Sequence, residues 1–107
     1  MQQLSARQLK EWLDDPGRTS PILVDVREPW EFEICHIPGA RPIPIRAIAA
    51  RHYDLSKDAD IVVICHHGAR SYQVCVLFEQ LGFSRICNLL GGMAGWTRDV
   101  DPSLPSY

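Results

Sequence analysis

The sequence predicts an α/β domain: a mainly parallel sheet covered by helices on both faces. Three short, β-branched runs support this, at residues 22–26, 61–65 and 86–90. Turn residues bound these runs, and stretches of helical periodicity lie between them. Parallel neighbours need a long crossover, which a helix normally supplies, so alternating strands and helices imply a three-layer α/β/α arrangement. A length of 107 residues suits one such unit, residues 1–107.

The elements follow in chain order. Ser5-Ala6-Arg7-Gln8 has the form of a capping box, and Leu9, Trp12 and Leu13 then share one helical face. Asp15-Pro16-Gly17 ends that helix. Ile22 to Val26 reads as a buried strand. Pro29 opens a short helix in which Trp30, like Trp12 before it, is expected to act as an anchor. His36-Ile37-Pro38-Gly39-Ala40 is a turn, and Pro42 and Pro44 suit an edge strand or an extended link. Ile45, Ile48 and Ala49 suggest a short amphipathic helix. Ile61 to Cys65 is the second buried strand. After it, Val74, Leu77, Phe78 and Leu81 form a helical stripe that Gly82 terminates. Ile86 to Leu90 is the third strand. Gly91-Gly92 then leads into a last short helix at Trp96, its glycines allowing close backbone approach to the loop after Cys65. Residues 101–107 are expected to run extended over the surface.

Composition narrows the function. Hydrophobic residues make up 46% and charged residues 22%, which suits a soluble globular chain. The net charge of -2 comes from 11 basic and 13 acidic residues with no Lys/Arg cluster, so nucleic acid is not an expected partner. No apolar run is long enough to span a bilayer. Met1-Gln2-Gln3-Leu4 has no basic segment leading into an apolar one, so no export signal is expected and the cytoplasm is the expected location. The cysteines Cys35, Cys65, Cys75 and Cys87 then read as reduced thiols, not a disulfide framework. None shows the paired spacing of a zinc knuckle, and adjacent Cys65-His66-His67 offers poor chelating geometry, so no metal is expected.

Cys65 stands apart. It closes the strand expected to be most central, at the carboxyl end of a parallel sheet, where ligands bind. The loop after it runs directly into a helix N-terminus, so unpaired N–H groups and the helix dipole favour an anion there. Arg70 is expected to add a positive charge, with His66 and His67 as further help. Gly68 permits the tight turn. Together these features favour the thiolate, the reactive form of cysteine. Asp25 and Arg27 leave a neighbouring strand at the same sheet end and read as a structural ion pair or loop anchor flanking the site.

Five segments follow in order and cover nearly the whole chain: Asp25-Val26-Arg27-Glu28, Glu31-Phe32, His36-Ile37-Pro38-Gly39-Ala40, Cys65-His66-His67-Gly68-Ala69-Arg70-Ser71 and Gly91-Gly92-Met93-Ala94-Gly95-Trp96. Together they resemble a single-domain rhodanese. The resemblance implies the α/β/α rhodanese fold and transfer of sulfane sulfur through a persulfide on Cys65. Substrate would meet the active loop, residues 65–70, through His66, His67, Gly68, Ala69 and Arg70, with Ser71 starting the helix. A donor such as thiosulfate would load the cysteine, and a thiol, a protein acceptor or cyanide would unload it, with no metal or organic cofactor. Cys35 departs from the family pattern, which usually has Gly there. It is either an accepted small side chain or a thiol that resolves the persulfide or takes a second sulfur. Cys75 and Cys87 read as inert core thiols.

Two other readings compete. A catalytically quiet module of the same type would bind a protein partner, although an intact cysteine loop favours the enzyme. A cysteine-dependent phosphatase or arsenate reductase would place one residue more between Cys and Arg than the four found here. No Asp is evident as a general acid for an alcohol leaving group.

Overall fold

The computed structural model describes residues 1–107. In chain order the elements are β1 (Gln2–Leu4), α1 (Ala6–Asp14), β2 (Ile22–Asp25), α2 (Pro29–Ile34), β3 (Arg41–Pro42), α3 (Ile48–Arg51), β4 (Ile61–Ile64), α4 (Ala69–Gln80), β5 (Ile86–Leu89) and α5 (Gly92–Asp99), with 3-10 turns on either side of α3. The sheet order is β1-β5-β4-β2-β3, and every pairing is parallel. The α/β class and the parallel sheet are therefore as expected.

Strand pleating divides the core into two layers. Along β4, Ile61 and Val63 face a cluster built with Val74, Cys75 and Phe78 of α4 and Ile48 of α3. Val62 and Ile64 face the opposite cluster, with Leu9 and Trp12 of α1 and Met93 and Trp96 of α5. β4 lies between β5 and β2 and is buried on both sides, so its carboxyl end opens at the middle of the sheet edge.

The capping box of α1 forms as expected: Gln8 N–H donates to Ser5 Oγ at 3.1 Å, and Ser5 N–H donates to Gln8 Oε1 at 2.8 Å. One element is new and three local expectations need correction. The new one is β1, an edge strand of three residues, too short and too polar to stand out in the sequence. The buried stripe of α4 is Ser71, Val74, Cys75 and Phe78, while Leu77 is exposed. The period is right but the face is rotated, because the first turn of α4 docks on the residues after β4 and brings Ser71 inward. Trp30 is 59% exposed, so it does not anchor α2 in the core. The segment after α5 stays on the surface but is not extended throughout: it turns at residues 102–104 and returns Tyr107 to the loop after β4.

Candidate active site

Cys65 follows the last residue of β4, and the chain reverses within three residues to enter α4. Gly68 sits at φ +105, a region disfavoured for a side chain, and its N–H donates to Cys65 Sγ at 3.0 Å. The Cys65 thiol donates to Ser71 Oγ at 3.2 Å, and Ser71 Oγ donates to Asn88 Oδ1 of β5. The Asn88 amide in turn bonds Gly68 O at 3.2 Å and Gln3 Oε1 at 2.9 Å. Ser71 is thus buried against the sulfur, not displayed to substrate.

The start of α5 fixes the rest of the loop. Met93 N–H donates to Cys65 O at 2.9 Å, and Ala94 N–H donates to His66 O at 3.0 Å. A Cβ on Gly92 would lie 2.5 Å from Cys65 O, so only glycine admits this approach, as the Gly91-Gly92 pair suggested. In a trans peptide the carbonyl and the next N–H point in opposite directions. With the carbonyls of Cys65 and His66 turned toward α5, the N–H groups of His66 and His67 face away from it, and neither has an acceptor in the protein.

Of the loop N–H groups expected to favour an anion, only that of Gly68 donates to the sulfur. Cys65 is also only 1% exposed, so a donor cannot reach it in this conformation of the loop. The loop lies over the sulfur and leaves His67 and Ala69 outermost.

A charged frame surrounds the loop. Arg70 makes no hydrogen bond to the sulfur; it grips the buried Glu31 carboxylate with two bonds of 2.7 and 2.9 Å. The Arg70 bonds above all, with support from Glu28 N–H and Tyr107, hold the Glu31 carboxyl at about 2 despite its burial. Asp25 and Arg27 form a buried ion pair, as expected for an anchor. Burial opposes the charge on Arg27, yet the bonds from Asp25 and Tyr107 outweigh it and raise the pKa. Arg27 also donates to the carbonyls of Cys35 at 2.7 Å and Glu31 at 3.2 Å. Its last contact is with the Tyr107 hydroxyl at 2.8 Å.

Cys35 caps α2 in extended backbone, φ -160, so a side chain is accommodated there without strain. It packs in the cluster on the α1 and α5 side, whereas Cys65 belongs to the cluster on the α4 side. The two thiols are therefore not brought together. Cys35 instead lines a cleft of about 350 Å³ with His66, His67, Met93, Leu104 and Tyr107. Cys75 and Cys87 are buried, and loss of solvent pushes the Cys75 thiol up to about 12, in keeping with an inert role. No group of three His, Cys, Asp or Glu side chains converges to hold a metal ion.

The sequence model of the rhodanese-like domain matches residues 5–99. The chain belongs to the rhodanese-like family. It is 43% identical over 77 residues to a protein of Allochromatium vinosum named sulfurtransferase, covering 72% of each chain. It is 37% identical over 98 residues to the thiosulfate sulfurtransferase GlpE of Pseudomonas aeruginosa, covering 92% of this chain and 82% of that one. The crystal structure of a rhodanese-like domain protein from Staphylococcus aureus superposes with a TM-score of 0.82 at 29% identity, covering 90% of this chain and 91% of that one. Several other relatives are longer, and this chain spans between 24% and 40% of their length. The relatives named sulfurtransferase support a rhodanese-type sulfurtransferase at the level of the family.

Three side chains of this rhodanese-like site escape a reading of the sequence for chemistry: Glu31, Asn88 and Tyr107. Asn88 carries a usable signal, because a polar residue inside an apolar strand has to find buried partners. Glu31 shows only as the third residue of α2, after the cap at Glu28, and within the Glu31-Phe32 segment of the resemblance, with no sign of its partners. Tyr107 sits in a segment without periodicity and gives no signal.

Proposed function

We propose that this rhodanese-like domain, residues 1–107, carries sulfane sulfur on Cys65. The Cys65 thiolate attacks the outer sulfur of thiosulfate or of a persulfide donor. A new S–S bond forms as the old one breaks, and sulfite or the donor thiolate leaves with the bonding electron pair. A thiol, a protein thiol or cyanide, attacking as its anion, then takes the outer sulfur, and the Cys65 thiolate is the leaving group.

The observation that carries this reading is the set of loop donors. Gly68 N–H already donates to the sulfur, while the N–H groups of His66 and His67 have no acceptor. A persulfide places its charge one atom beyond Sγ, where unsatisfied donors stabilise it without reorganisation. His66, His67, Gly68 and Ala69 serve through their backbone, and Arg70 serves by fixing the end of the loop. Asp25 and Arg27 hold the neighbouring chain. The chemistry needs neither metal nor organic cofactor. Access to the sulfur requires local opening of the loop, against the bonds from α5 and the Arg70–Glu31 pair. No helix is long and apolar enough to cross a membrane, and all four cysteines are free thiols, which suits the cytoplasm.

Burial of Cys65 favours a second reading, a quiet module that binds a partner protein. Intact mass after incubation with thiosulfate separates the two. The sulfurtransferase gains one sulfur, about 32 Da, loses it to cyanide, and fails to gain it as Cys65→Ser. An unchanged mass across thiosulfate and persulfide donors supports the quiet module. The four-residue spacing and the commitment of Arg70 to Glu31 leave no free guanidinium for a phosphate.

A further inference from the structure

We infer that Tyr107 is a positioning residue that fixes both ends of the loop carrying Cys65. The inference rests on the sulfur-carrying role of that loop and adds a residue outside the span matched by the family model, which ends at residue 99.

At the start of the loop, the Tyr107 ring stacks on the His66 ring, with centroids 4.0 Å apart and planes inclined by 16°. His66 in turn contacts the His67 ring at 4.0 Å. At the other end, the Tyr107 hydroxyl donates to Glu31 Oε2 at 2.8 Å, the oxygen that also receives Arg70 Nη2 at 2.9 Å. The hydroxyl oxygen accepts from Arg27 at 2.8 Å, so both its donor and an acceptor lone pair are used. Trp30 closes the remaining side with an edge contact at 5.7 Å.

The residue reaches this place because the preceding chain is anchored. Asp101 N–H bonds Trp96 O at 3.0 Å, Leu104 N–H bonds Asp101 O at 3.2 Å, and Leu104 packs on the core cluster that contains Met93 and Trp96. Burial above all lowers the His66 pKa and favours the neutral imidazole in the stack. Burial also raises the Tyr107 phenol to about 12, so it stays protonated and able to donate to Glu31. Residues 102–107 thereby wall the cleft that opens beside His66 and His67.

A structural prop on the surface leaves the chemistry alone, whereas a positioning residue alters it without lowering stability. Tyr107→Leu is expected to slow sulfur uptake from thiosulfate by about tenfold, chiefly in the rate and not in KM, since loop geometry sets the attack. Tyr107→Phe keeps the ring on His66 but loses the bonds to Glu31 and Arg27, so it is expected to show an intermediate loss of about threefold, with a matching intermediate rise in Gly68 exchange. Thermal midpoints are expected to stay near wild type, because Arg27 keeps Asp25 and the carbonyls of Glu31 and Cys35, and Glu31 keeps Arg70 and Glu28 N–H. Hydrogen exchange at the Gly68 amide is expected to accelerate in Tyr107→Leu, independently of any activity. Uptake by Tyr107→Leu within about twofold of wild type overturns the inference. If wild type takes sulfur from no donor, the sulfurtransferase reading fails, and Gly68 exchange alone decides this one: faster upholds it, unchanged overturns it. Should Tyr107→Leu not fold, the same exchange comparison on Tyr107→Phe decides in the same way.

Discussion

Glu31 is ionised far into acid because Arg70, Glu28 N–H and Tyr107 all bond its carboxylate. Its folded value of about 2 lies below the ordinary 4.5. The unfolded chain therefore binds more protons between those values, and stability rises with pH there. The contribution is complete above 4.5 and lost as pH falls through 2. It amounts to roughly 3 kcal/mol for a shift of this size. Urea unfolding across that acid range is expected to show a steep decline in wild type and a shallower one in Glu31→Gln. Asn88 is the second decisive side chain, since it joins Ser71 Oγ to Gly68 O. Asn88→Ala takes the acceptor from the buried Ser71 hydroxyl and one of two donors from Gly68 O, and is expected to cost about 1–3 kcal/mol in chemical denaturation. Both residues show why side-chain roles were harder to read than elements. A buried carboxylate or amide is defined by partners far along the chain, and spacing within a helix or strand does not disclose them.

At the scale of elements, the approach of α5 to the active loop depends on one glycine. Gly92→Ala puts a Cβ 2.5 Å from Cys65 O at φ +56, so either α5 retreats or the loop distorts. A destabilisation of about 2 kcal/mol or more is expected by thermal unfolding, with sulfur uptake lost along with the loop geometry. Ser5→Ala, by contrast, removes one cap from α1 and is expected to cost about 1 kcal/mol with uptake unchanged. Strands β2, β4 and β5 were legible because each is a short apolar run between turn signals. The capping box of α1 was legible because it is a local hydrogen-bond pattern. β1 was not, since Gln2-Gln3-Leu4 becomes a strand only through its pairing with β5. The face of α4 was misjudged because Leu77 outranks Ser71 in apolarity, while docking on the nucleophile favoured the smaller, polar side chain.

For the whole molecule, alternation of strand and helix was enough to specify a parallel sheet, and the carboxyl end of its central strand marked the site. What alternation could not convey was closure. The chain beyond α5 folds back over the loop, Arg70 turns to Glu31, and Cys65 lies beneath its own loop. The bonds of Arg70 and Tyr107 to Glu31 and of Arg27 to Tyr107 span 39 to 80 positions of sequence and form only once the layers are assembled. The loop over Cys65 is nonetheless a set of unspent donors aimed away from α5. Backbone amide shifts in isotopically labelled protein, recorded before and after loading with thiosulfate, probe those donors directly. The largest changes are expected at His66, His67 and Gly68, with none of that size in the Cys65→Ser variant. Loading that leaves those three amides unmoved, or a protein that takes no sulfur while its amides stay fixed, contradicts a persulfide cradled by this loop.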